Sequence, residues 1–122
     1  MTQSLYDKLG GQQAVNQAVE HFYRKVLMDE RVNYFFDDVD MDQQMLKQKN
    51  FLTMVFGGPN HYSGKDMREG HKHLIPRGLN DEHVDIIIEH LGSTLQEMGA
   101  ESDDIQQVAA IANSVRDDVL NR

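Results

Sequence analysis

The stretch Asn80-Asp81-Glu82-His83-Val84-Asp85-Ile86-Ile87-Ile88-Glu89-His90-Leu91-Gly92-Ser93-Thr94-Leu95-Gln96-Glu97-Met98-Gly99 decides the fold class. Val84, Ile87, Ile88, Leu91, Thr94, Leu95 and Met98 recur at helical intervals, so they form one stripe of an amphipathic helix. Asn80 is placed to cap it, Asp81 and Glu82 suit its positive end, and Gly99 supplies the stop. Just beyond, Ser102 is placed to cap a last helix that turns Ile105, Val108, Ala109, Ala112, Val115 and Val119 inward. So short a link predicts that these two helices pack as an antiparallel pair.

The same period runs back toward the N-terminus. Gly10-Gly11 closes a very short opening segment, and Val15, Ala18, Val19, Phe22, Tyr23 and Val26 then share one helical face. A short helical turn at 31–36 ends in Phe35-Phe36 and a polar loop whose Asp40 can cap a helix over 41–56, stopped by Gly57-Gly58-Pro59. Residues 59–66 read as loop, and a short helix is expected over 67–74, before the Pro76 and Gly78 break. No stretch alternates convincingly at period two. The chain reads as all-α, one domain over residues 1–122.

Composition excludes several functions. A chain with 39% hydrophobic and 26% charged residues is ordinary for a globular protein, and no apolar run approaches the roughly 20 residues of a membrane span. The start, Met1-Thr2-Gln3-Ser4-Leu5, lacks the features of a signal peptide, so the cytoplasm is expected. A net charge of −8 without a clustered basic face argues against nucleic acid. With no cysteine there are no disulfides, thiolate metal sites or Fe–S clusters. Glu-x-x-His pairs for a di-iron bundle, His-Glu-x-x-His and nucleophile signatures are absent as well.

What remains is a set of polar residues on or near apolar faces. His71 lies in Met67-Arg68-Glu69-Gly70-His71-Lys72-His73-Leu74. A metal held here would have one axial imidazole and a non-protein ligand set, which points to haem; a histidine taken alone is more often a surface or structural residue. His21, His83 and His90 sit on or beside polar helical faces, His61 in a loop, and His73 should point away from His71 on a helix. Gln44, Lys47, Gln48, Phe51, Leu52 and Val55 share a face whose N-terminal end turns polar. That end either reaches solvent or projects into a pocket. Tyr23, on an apolar face, is either a core tyrosine bonded to a carbonyl or a donor aimed at a bound molecule.

Taken in order and spacing, these residues resemble a group I truncated haemoglobin, the short two-over-two globin, of the cyanobacterial type. The likeness runs from Leu5-Tyr6-Asp7-Lys8-Leu9-Gly10-Gly11 through Phe22-Tyr23, Phe35-Phe36, Gln44 to Gln48, Phe56-Gly57-Gly58 and Met67-Arg68-Glu69-Gly70-His71 to Asp118-Val119-Leu120-Asn121. The resemblance implies non-covalent haem b with His71 as proximal iron ligand. It implies Tyr23, Gln44 and Gln48 as the distal ligand-binding group and Phe36 wedged against the porphyrin. Phe51, Leu52, Met67, Arg68, Leu74, Val84 and Ile87 are expected haem contacts. It further implies a monomer that binds O₂, NO and CO. Nitric-oxide dioxygenation, fed by an external reductase, is the enzymatic activity to test.

Two departures stand out. Some relatives use a histidine as sixth iron ligand where this chain has Lys47. Lys47 could ligate only as a neutral amine, and the iron–nitrogen bond would have to exceed the cost of deprotonation at pH 7; otherwise it pairs with a haem propionate or reaches water. Certain relatives also bond a late histidine to a haem vinyl group, yet no histidine follows His90. The competing reading is a cofactor-free helical interaction module in which Tyr23, Gln44 and Gln48 form only a polar core network.

Overall fold

The computed structural model describes residues 4–59 and 64–122, and for 64–66 the backbone alone; His61 lies outside the described residues. These residues form helices α1 (Leu5–Leu9), α2 (Gln12–Met28), α3 (Met41–Val55), α4 (Gly64–His71), α5 (Asp81–Glu97), α6 (Ser102–Ser114) and α7 (Arg116–Val119). Tight 3₁₀ turns cover Asn33–Phe36 and Lys72–Arg77. Among the described residues there is no strand, and no helix is long and apolar enough to cross a membrane.

Two helix pairs make the body, α2 with α3 and α5 with α6, and α2 packs across α5. The α2 stripe supplies the centre: Val15, Ala18, Val19, Phe22 and Val26 are buried, joined by Leu52, Phe56, Leu91 and Leu95 from facing helices. Burying each large side chain of this kind contributes about 1.5–3 kcal/mol, so these helices are held by packing more than by intrinsic propensity. The amide of Tyr6 donates to the Phe56 carbonyl at 2.8 Å, tying α1 to the end of α3. The Tyr6 ring then lies where a Cβ on Gly58 would sit, 2.6 Å away, so only glycine fits at that position. Gly10 (φ 112°) and Gly11 (φ 74°) turn the chain from α1 into α2 through backbone that L side chains resist.

Local chemistry explains most boundaries. The Asp40 carboxylate accepts from the Asp42 and Gln43 amides and starts α3. Asn80 accepts from the Glu82 amide, while its own amide donates to Nδ1 of His83, a capping box closed by histidine instead of the usual Glu or Gln. Three expectations are corrected. Glu101, in extended backbone and making no side-chain cap, precedes α6, and Ser102 is already helical. The last helix breaks at Val115: the Ser114 hydroxyl donates to the Ile111 carbonyl, and Arg116 is drawn to Asn113, Asp81 and Asp85. The helix expected over 67–74 begins earlier, at Gly64, and passes into a 3₁₀ turn after His71, where Pro76 could not continue an α-helix.

Candidate functional site

The helix pairs enclose a cavity that opens to solvent at its mouth. Its walls are mainly apolar and aromatic, with Phe35, Phe36, Phe51, Leu74, Val84 and Ile87 among them. Into this apolar space project a few polar groups: His71, Tyr23, Gln44 and Gln48.

His71 ends α4, and its ring is oriented from one turn back. Nδ1 lies 2.8 Å from the Met67 carbonyl, an oxygen that can only accept, so Nδ1 carries the proton and Nε2 the lone pair. Burial holds the imidazole below its ordinary pKa against the opposing pull of the Met67 bond, and the neighbouring charges of His73 and Lys47 add to the lowering. The neutral form is therefore favoured, with one nitrogen fixed and the other available to a metal.

Tyr23 is 4% exposed. Its ring packs edge-on against Phe22 (centroids 5.0 Å apart) and Phe36 (5.7 Å). Gln44 Nε2 donates to its hydroxyl oxygen at 3.0 Å. Because the phenol accepts there, its own proton is free to be donated. Burial raises the phenol to about 12 against the weaker opposing pull of the Gln44 bond, so it stays a neutral donor across the physiological range. Gln48, one turn beyond Gln44, also lines the cavity. The polar end of α3 thus projects into a pocket.

Three residues expected at the haem are not among those that line the cavity. Leu52 is wholly buried in the helix core and does not line the cavity. Arg68 points to the C-terminal turn, where Asp118 holds it. Lys47 is exposed on α3 and is absent from the cavity wall, although its charge is felt at His71. Conversely, two histidines join the lining: His83, expected on or beside a polar helical face, and His73, expected to point away from His71. His83 stands edge-on to Phe35 and meets the Tyr34 hydroxyl at 3.3 Å through Nε2, its Nδ1 being committed to the cap. His73 reaches the cavity because the chain tightens to a 3₁₀ turn immediately after His71. The Asn80-to-His83 spacing is the one sequence signal that could have placed His83.

Among the described residues no three His, Cys, Asp or Glu side chains come together to hold a bare metal ion. A single neutral imidazole in a mainly apolar cavity instead suits an iron that brings its own equatorial ligands, and haem fits this donor set. Residues 4–121 match the family described as bacterial-like globin. The chain belongs to that family. The group 1 truncated haemoglobin of Synechocystis sp. is 51% identical over 122 residues, spanning 98% of each chain. That of Tetrahymena pyriformis is 48% identical over 120 residues, spanning 98% of this chain and 97% of its own. Among solved structures, the two-over-two haemoglobin of Synechococcus sp., in the cyanomet state with covalently attached haem, matches with a TM-score of 0.90 at 50% identity. It covers 98% of this chain and all of its own. Solved forms of the Tetrahymena pyriformis protein include a tyrosine-to-phenylalanine variant and variants at either of two glutamines. The chain is thus a truncated globin with the two-over-two fold, a haem protein that binds diatomic ligands such as O₂. Family membership sets the cofactor-free module aside.

Proposed function

We propose that His71 binds the iron of haem b through Nε2 and that Tyr23 is the principal donor to a diatomic ligand, with Gln44 and Gln48 completing the polar group. The observation that carries this reading is the paired geometry within one cavity. An imidazole whose Nδ1 is tied to Met67 leaves Nε2 to ligate, and a buried phenol that accepts from Gln44 keeps its proton for donation. The tyrosine and glutamines substituted in the Tetrahymena protein are spaced along that chain as Tyr23, Gln44 and Gln48 are here.

When bound, haem iron supplies reversible diatomic binding and shifts electron density onto the ligand. The chain's residues do the rest. The Met67 carbonyl fixes the tautomer and ring plane of His71 and raises the basicity of Nε2. Phe36, Phe51, Met67, Leu74, Val84 and Ile87 exclude water, which strengthens each polar contact made inside. Tyr23 donates toward the partial negative charge, and Gln44 polarises its hydroxyl by donating to it. One such bond in a dry site contributes about 1–3 kcal/mol. Lys47, outside the cavity wall, faces a propionate or water, and residues 1–122 act as one domain and as a monomer in the cytoplasm.

NO and CO bind at the same position as O₂. Oxidation of NO by O₂ to nitrate takes up one electron, which an external reductase returns, so nitric-oxide dioxygenation is the activity the site supports. Purified protein should show a Soret band that His71→Ala abolishes or shifts strongly; a native spectrum in that variant would remove His71 from the iron. Stopped-flow mixing of the oxygenated ferrous protein with NO tests the second claim, and slow or absent nitrate formation would overturn it.

A further inference from the structure

Arg68 was expected at the haem, and the structure gives it a different set of partners. Its Nε donates to Asp118 Oδ1 at 2.7 Å and its Nη2 to the main-chain oxygen of Arg122 at 2.7 Å. The side-chain amide of Asn121 in turn donates to the Arg68 carbonyl at 3.1 Å. The C-terminal turn therefore holds one residue of α4 by both its side chain and its backbone. That residue adjoins Met67, whose carbonyl orients His71, and the Met67 carbonyl and the Arg68 amide belong to the same peptide plane.

The turn is itself anchored away from α4. Arg116 donates to Asp81 and Asp85, and Arg122 to Asp81 and Asp117, fastening α7 to the start of α5. Val115 and Val119 line the cavity from the same segment. Asn121 holds φ at 55°, the one positive φ at a non-glycine residue among those described. Asparagine tolerates this left-handed backbone better than most residues, and the reversal brings both its amide and the Arg122 oxygen back onto Arg68. Backbone of this kind persists where surrounding contacts over-determine it.

We propose that this C-terminal turn is a strap that sets the position of His71 relative to the iron, with Arg68, Asp118 and Asn121 as positioning residues. The inference rests on His71 as the iron ligand. α4 is a short helix that packs mainly on α7 and the following 3₁₀ turn, so the strap is its principal brace. Loosening it frees the Met67–Arg68 peptide, and with it the ring plane of His71, without touching the haem.

Resonance Raman spectroscopy of the ferrous, ligand-free holoprotein reads the iron–histidine stretch directly. Asp118→Ala removes the ion pair, and Asn121→Gly keeps the left-handed backbone while deleting the amide. Each is expected to shift and broaden that band, and to speed haem transfer to an acceptor apoprotein by about threefold to tenfold. Hydrogen exchange in the holoprotein should quicken at residues 67–72 and stay native in α2. The charge exchange Arg68→Glu with Asp118→Arg should return the band toward its native position. Arg31→Ala, which breaks an ion pair with Asp29 far along the chain from α4, should leave it unmoved. Purified protein without a Soret band would overturn the haem reading and this proposal together. A normal Soret band with the iron–histidine stretch unmoved in both Asp118→Ala and Asn121→Gly would overturn the strap alone.

Discussion

Replacing Tyr23 by phenylalanine removes a single oxygen from a side chain 4% exposed and leaves the ring contacts with Phe22 and Phe36 in place. Two interactions are lost: the donation into the cavity and the acceptance from Gln44 Nε2. The first stabilises a ligand carrying partial negative charge by about 1–3 kcal/mol, which corresponds to an increase in O₂ dissociation of about fivefold to 150-fold. The second partly offsets it, because the Gln44 amide, released from Tyr23, can turn toward the ligand. The single variant should therefore release O₂ about fivefold to tenfold faster, toward the lower end of that range. Tyr23→Phe combined with Gln44→Leu should go well beyond it. Dissociation is measured by stopped-flow displacement of O₂ with CO. CO carries little negative charge, so its own dissociation, displaced by NO, should change much less. Tyr23→Phe releasing O₂ within twofold of the native rate would refute the claim that the phenol is the principal donor.

The other predictions concern pH, coordination and attachment. Burial raises Tyr23 from 10.0 to about 12 in the folded chain, so between those values the unfolded chain has lost a proton that the folded chain keeps. Stability from this group is fully present below about pH 10 and declines as pH rises through about 12, by on the order of 2–3 kcal/mol in all. In urea titrations at pH 9 and 11, Tyr23→Phe should lose less stability than the native protein, and equal losses would contradict the assignment. Lys47→Ala should leave the ferric absorption spectrum at pH 7 unchanged, since Lys47 stands outside the cavity wall; loss of a low-spin spectrum would instead place lysine on the iron. With no histidine after His90, acid–acetone extraction should remove all the haem and the denatured mass should be that of the bare chain. A mass increase by one haem would show a covalent bond made by another residue.

Periodicity carried the fold well because the main helices are long enough to repeat their pattern. The α5 stripe places Val84, Leu91 and Leu95 in buried positions without reference to any partner. The reading failed where chain geometry changes within a turn. The step from Ser114 to Arg116 carries no proline or glycine, and the break comes from side-chain bonds made across to α5. Similarly, His73 lies two positions beyond His71, and on an α-helix they would diverge. The chain leaves α-geometry at His71 itself, so that argument ceases to apply.

The polar site shows the same division. One stripe turning polar left Gln44 and Gln48 facing either solvent or a pocket, and their lining of the cavity decides for the pocket. Arg68 could not be read in this way. It lies three residues before His71, close enough on a helix to be assigned to the same cavity, and nothing nearby in sequence competes for it. Its partners, Asp118, Asn121 and Arg122, are some fifty residues away in the chain and are brought to it only by the left-handed turn at Asn121. A helix pattern reports which face is buried and says little about which distant side chain satisfies a charge on its edge. His71 could be singled out as a candidate from its own segment and its order among Tyr23, Gln44 and Gln48, whereas the group proposed to hold that segment was visible only once the C-terminus had been folded back onto it.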